Sequence, residues 1–212
     1  MSDLGSNRLF VAGLMLVLIH SNGGRDACLA DPLSSVPKPT NEVNSAADIG
    51  MTNLIKFIQN DKERAASIGF YSADEVTIDK MKRGSGIPVL RIVDESLLNK
   101  PDFKNMSEYL EPLVDQFIYP ITVDGKARAV INVKNLKKAK KWKAVSYGAP
   151  GLVSALEELK LLEADGVFIA RYSPLGIWLA CTDLEDKSQC HQITANPKAL
   201  DYKNKYKIWP NR

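Results

Sequence analysis

Phe117-Ile118-Tyr119-Pro120-Ile121-Thr122-Val123-Asp124-Gly125, with the return Lys126-Ala127-Arg128-Ala129-Val130-Ile131-Asn132-Val133, decides the fold class of this 212-residue chain. Phe117, Tyr119, Ile121 and Val123 alternate with Ile118, Pro120 and Thr122. Ala127, Ala129, Ile131 and Val133 alternate on the way back. Such alternation marks strands with one buried face. Asp-Gly between two alternating runs signals a tight hairpin, because both turn positions need positive φ. Pro120 has no N–H for a ladder, which places it at an edge or a bulge.

Beyond the hairpin, Trp142-Lys143-Ala144-Val145-Ser146-Tyr147 reads as the next strand, broken by Gly148-Ala149-Pro150-Gly151. Leu152, Val153, Leu156 and Leu159 then fall at helical spacing. Two more strands, Val167 to Tyr172 and Ile177 to Cys181, are joined at Ser173-Pro174-Leu175-Gly176. Before the hairpin, Pro88 to Val93 is strand-like, and Leu110 to Val114 suggests one helical turn. Met51, Leu54, Ile55, Ile58 and Ala65 line one side of a helix that Gly69 can stop. Ser72-Ala73-Asp74-Glu75 is a capping box opening a second helix, which Gly84-Ser85-Gly86 ends. Hairpins imply antiparallel pairing. The expected fold is therefore α+β: a single antiparallel twisted sheet of about five or six strands, with helices packed on one face.

Leu9 to Ile19 is an unbroken apolar run behind Arg8, too short for a membrane-spanning helix of about 20 residues. It has the length of the apolar core of a secretory signal, with small residues Cys28 and Ala30 before a cut near Ala30. The expected organisation is a signal peptide over 1–30, a flexible Pro- and Ser-rich linker over 31–45, one domain over 46–196 and a polar tail over 197–212. The destination is the periplasm or the medium, with no transmembrane segment left after cleavage. Cleavage removes Cys28 and leaves Cys181 and Cys190 to close a disulfide in an oxidising compartment. Closing a loop of that size contributes roughly 2–3 kcal/mol in the chain-entropy model. Their spacing is wrong for a redox Cys-x-x-Cys pair.

Net charge is +3, too mild to argue for a nucleic-acid partner. Lys134, Lys137, Lys138, Lys140, Lys141 and Lys143, with Trp142 among them, form the densest charge feature. A basic run with an aromatic can hold anionic lipid or a cell-wall polymer. Placed in a long loop between two strands, it reads first as a solvated loop guarding a sheet edge. Tyr147, Gly148 and Gly151 mark a strand-to-helix bend where small residues let a ligand approach, or simply a tight connection.

Catalytic signals are thin. Ser85 sits between Gly84 and Gly86, and Ser146 precedes Gly148, yet neither fits Gly-x-Ser-x-Gly. His191 adjoins Cys190, and neighbours on an extended chain point to opposite sides. Glu157-Glu158 and Asp183, Glu185 and Asp186 read as solvated charge. Phosphate-loop and dinucleotide glycine motifs are absent from the sequence, so no cofactor, metal site or catalytic residue is assigned.

Ile118-Tyr119-Pro120 running into Val123-Asp124-Gly125, Trp142 to Gly148 leading into a helix, and the closing hairpin resemble small exported bacterial proteins of unassigned role. In those, a short sheet wraps on a helix, as in cystatin-like folds. The resemblance covers roughly 50–181 and carries no functional residue. The function expected is a non-enzymatic exported domain that binds a protein or peptide at the cell envelope or outside the cell. Anionic-surface binding through 134–143 is the alternative, and an exported hydrolase with an unrecognised site is a third.

Overall fold

The structure, a computed structural model, describes residues 35–71, 79–93, 106–111, 114–182 and 189–193. The expected signal peptide, the capping box at Ser72–Glu75, the acidic group at 183–186 and the tail lie outside these residues.

The hairpin forms as its sequence dictates. β3 (Gln116–Val123) and β4 (Lys126–Leu136) pair around Asp124 and Gly125, whose φ values are 49° and 77°. The other elements are α1 (Asn41–Asn60), α2 (Lys62–Ser67), β1 (Met81–Arg83), β2 (Ile87–Arg91), β5 (Lys141–Gly148), α3 (Pro150–Glu158), β6 (Val167–Tyr172), β7 (Ile177–Thr182) and β8 (Gln189–Gln192). Together the strands make one open sheet of eight, in the order β5-β4-β3-β2-β6-β7-β8, with β1 also pairing β3.

That sheet corrects three expectations. It is larger than five or six strands, because the three-residue β1 and four-residue β8 are too short to announce themselves by alternation. It is partly parallel: Val89, Leu90 and Arg91 of β2 run alongside Ile169, Ala170 and Arg171 of β6. And among the described residues helices lie on both faces. Val153 and Leu156 of α3 pack with Ile118, Val130, Val89 and Ile169. Leu54 and Ile58 of α1 pack with Phe117, Tyr119, Ile121 and Ile131 on the opposite face. Farther along the α1 face, Met106 and Leu110 cover Leu90, Ile92, Phe168, Ala170 and Leu179. Buried runs such as Ile87–Leu90 and Val167–Ala170 are apolar at every position because both of their faces are covered.

Local expectations shift for similar reasons. α1 starts at Asn41, inside the stretch read as linker, where Thr40 Oγ1 accepts from the Val43 N–H at 3.4 Å. The apolar stripe continues back through Val43, Ala46 and Ala47. Met81–Arg83 is strand rather than the end of a helix, since pairing with Ile121–Val123 buries Met81. A 3₁₀ turn covers Met106–Tyr109 and Leu110 bridges Ile92, while the turn expected over Leu110 to Val114 falls partly outside the described residues. α1 does lie against β4 and β5, as in a short sheet wrapped on a helix, but the sheet continues well beyond it through the parallel pair.

α3 ends in a Schellman motif, with Lys160 N–H to Glu157 O at 2.9 Å and Leu161 N–H to Leu156 O at 2.8 Å. The residue forced to positive φ is Lys160, at 57°. Lys160→Gly is therefore expected to raise stability by about 0.5–1 kcal/mol, the αL penalty less the added freedom of the unfolded chain. A lowered urea midpoint would contradict it.

Cys181 and Cys190 are disulfide-bonded and stand directly opposite each other on β7 and β8, Cα to Cα 4.1 Å. The bond staples a short edge strand to the sheet, and Cys181 itself is fully buried. Replacing both with alanine is expected to cost about 2–3 kcal/mol in denaturant unfolding. Amide exchange should speed up first at 189–192. Unchanged exchange there would show that β8 holds without the bond.

Candidate functional site

The loop between β1 and β2 shapes a concavity. β3 is not an edge strand, so Pro120 is not at an edge; instead its other neighbour changes there. β1 pairs with Ile121–Val123 and β2 with Phe117 and Ile118, leaving Gly84-Ser85-Gly86 to cross the gap beside Pro120. The Pro120 carbonyl accepts from the Gly84 N–H at 2.8 Å. In an antiparallel ladder a residue's N–H and C=O face the same way, so the missing donor of Pro120 faces this same gap.

Outside the loop lies an open groove of about 960 Å³, walled by Val36–Pro39, Arg83–Pro88 and Leu161–Val167. Its floor is apolar, from buried Ile87, Pro88, Leu161 and Val167. Its rim carries exposed Lys38, Ser85, Glu163 and Asp165. Such a volume lies at the upper end of ordinary ligand pockets.

Behind the loop stands Tyr119, with no exposed surface. Its hydroxyl donates to Asn44 Oδ1 at 3.0 Å, and the Arg83 guanidinium lies 4.8 Å from the ring centroid. Arg83 Nε is held by Asp48 Oδ1 at 2.8 Å. Asn44 and Arg83 also line the groove, so α1, β1 and β3 are tied together at its wall. Burial pushes the Tyr119 hydroxyl up to about 12; the Arg83 charge pulls the other way and Asp48 adds to the rise.

A raised pKa on an acid that is neutral below it has a definite consequence. The stability it contributes is complete below tyrosine's ordinary pKa of about 10. As pH climbs from there to about 12, the unfolded chain releases the proton while the folded one keeps it, and stability falls. Tyrosinate absorbance should accordingly show a last step near pH 12 that Tyr119→Phe removes. A wild-type curve complete by pH 11 would contradict this.

The other residues singled out by sequence lie elsewhere. The lysine run is no long loop: β4 reaches Leu136, β5 begins at Lys141, and only 137–140 turns. Lys134 and Lys143 are cross-strand partners, and Leu136 faces Lys141. Alternation puts these three lysines on the α3 side of the sheet. Trp142 faces α1 and meets Phe117 edge-on, centroids 5.6 Å apart, so it is turned away from them. The backbone N–H of Trp142, on the outer edge of β5, donates to Glu42 Oε1 at 3.4 Å. With that donor taken, a bulge at Val145 and lysines alongside, β5 is a poor template for strand addition.

At the bend, Tyr147 packs toward α1, and burial raises its pKa against a hydrogen bond to Asn53. The close approach allowed by Gly148, φ 119°, is used by Ile68, whose Cγ2 would lie 3.3 Å from an added Cβ. Gly151 is exposed in the first turn of α3. His191 stands on β8 opposite Ala180, remote in the pairing order from Ser85, and no histidine is among the described residues of the groove. Glu157 is not idle charge: its Oε1 accepts from the Ala127 N–H at 3.2 Å and ties α3 to β4. Among the described residues no three His, Cys, Asp or Glu side chains converge to share a metal ion. Nor is any helix of them long and apolar enough to cross a membrane.

Sequence reasoning named Ser85 but missed the groove, because its walls come from three distant segments. Against family models, curated proteins and solved structures, the chain finds no match.

Proposed function

We propose that this protein is an exported, non-enzymatic binding domain that takes a segment of another protein or peptide in the groove beside Gly84-Ser85-Gly86. The groove carries the reading: an apolar floor with charges of both signs at its rim suits a short extended segment. Export to the periplasm or the medium, with cleavage near Ala30, rests on the Leu9–Ile19 run. The Cys181–Cys190 bond and the lack of a membrane-crossing helix among the described residues are compatible with it.

Two measurements test the pair of claims. Intact mass from the native host should begin at Asp31 and be about 2 Da light of the reduced chain. Full-length protein with free thiols in the cytosol would overturn export. A pull-down from envelope extract should recover a partner that Ser85→Trp loses and Lys138→Glu keeps. Recovery of nothing above background, or equal recovery by both variants, would overturn the groove reading.

A second reading is favoured by the lysines: Lys134, Lys141 and Lys143 share a face next to the turn that carries Lys137, Lys138 and Lys140. It makes the domain a binder of anionic lipid or wall polymer, with affinity that falls as salt rises. Glutamine at all six positions should then abolish binding to anionic vesicles; unchanged binding would remove this reading.

A further inference from the structure

Beyond the apolar positions under α3, the described strands carry mostly polar side chains on the same face of the sheet. Next to the apolar positions under α3, the strands present Lys134 on β4, Gln116 on β3, Arg91 on β2, Arg171 on β6 and Trp178 on β7. Gln116 is 1% exposed, the one polar side chain among the described residues buried to that degree. Its Oε1 accepts from Arg171 Nη1 at 3.3 Å. Its Nε2 and the Nε of Arg171 are both buried without an acceptor.

Buried N–H donors are almost always paired in folded proteins, because a bare one has lost its bonds to water and gained nothing in return. Here two bare donors occur on side chains that touch each other, and one of them is charged. The nearby carboxylates do not serve them. Glu111 and Asp115 bind Arg91, at 3.1 and 3.7 Å. Arg171 is held instead over the Trp178 ring, 5.6 Å from its centroid, and its Nε has no acceptor. A guanidinium Nε edge is one that grips a carboxylate or phosphate with two parallel bonds. Lys134, directly opposite Gln116 in the β3–β4 register, adds a second positive charge, and Lys143 lies beyond it. Beside the two buried donors, Lys134 is half-buried and the Arg91 side chain is 44% exposed.

We propose that Gln116 and Arg171, flanked by Lys134, form an anion-binding site for a carboxylate or phosphate group. Gln116 Nε2 and Arg171 Nε are its donors, and Lys134 supplies the attraction at its mouth. The site is separate from the groove at Ser85 and from the lysine turn at 137–140, and it stands whether or not a protein segment binds at the groove.

The test is amide NMR of the full chain titrated with inorganic phosphate, and separately with succinate, at constant ionic strength against chloride. Saturable shifts centred on Gln116, Arg171 and Lys134 are expected with at least one of the two. Gln116→Met and Arg171→Met should each weaken binding about tenfold or more, as loss of a hydrogen bond to a charged group does. Lys137→Gln with Lys138→Gln should leave it unchanged, which separates this site from the lysine turn. Should one methionine variant fail to fold, the other decides. Phosphate or succinate should also raise the melting temperature of the wild type and not of the variants. Shifts that grow linearly without saturating, that centre on 137–140, or that survive both methionine variants would overturn the site. Anionic vesicles in place of the free anions show whether a lipid headgroup can supply the same group.

Discussion

Gly69→Ala is expected to be the most damaging single-methyl change in the described chain, costing about 3–4 kcal/mol. α2 closes in a Schellman motif: Gly69 N–H to Ala66 O at 3.2 Å and Phe70 N–H to Ala65 O at 2.9 Å. Gly69 carries the positive φ of that motif, 106°, which side chains rarely tolerate. The added Cβ would also run into the backbone carbonyl of Arg128. Arg128 is the extra residue of the bulge where β4 slips register between Ile121 and Thr122 of β3, so its carbonyl is fixed by the sheet. Neither partner can yield cheaply. Against a typical total of about 5–15 kcal/mol, the loss is large enough to read in a urea midpoint. A change below about 1 kcal/mol would show that the α2 end can move off β4.

Gly86→Val is the second large effect, about 3 kcal/mol, and it falls on the groove itself. A Cβ at Gly86 would sit 2.7 Å from Tyr119 Cζ and 2.8 Å from its Cε1 and hydroxyl oxygen. Tyr119 is fully buried and bonded to Asn44, so the ring has nowhere to go. Valine must either lift the 84–86 loop off the sheet or break the Tyr119–Asn44 bond. Either way Tyr119 gains water, and its titration should slide back from about 12 toward the ordinary tyrosine value. Wild-type stability together with an unmoved titration would mean that the loop does not rest on Tyr119.

What the sequence made legible was local. Asp124-Gly125 and its flanking alternation placed the hairpin to the residue, because turn chemistry and strand period agree there. Cys181 and Cys190 were legible as a pair because few other cysteines compete. The parallel β2–β6 pairing joins residues some eighty positions apart, and no local pattern encodes it. The unbroken apolar stretches at 87–90 and 167–170 were the available clue that both faces are covered, and with it the second helical layer. The lysine run misled by composition. Read as a loop with an aromatic at its centre, it is two strand ends and a four-residue turn, with Trp142 facing the other way. Gln116 gave no warning either: within β3 it is one polar residue ahead of an apolar run, and its place beside Arg171 depends on β6.

The groove beside Gly84-Ser85-Gly86 is the centre of this account, and photo-crosslinking in intact cells tests it most directly. A photoreactive phenylalanine analogue in place of Ser85 should give one discrete heavier species on illumination. The same analogue in place of His191, exposed on β8, should give none. A single adduct at position 85 alone, in protein recovered outside the cytoplasm, is the predicted result. No adduct at 85, or the same adduct from both positions, would contradict the claim that this groove receives another chain.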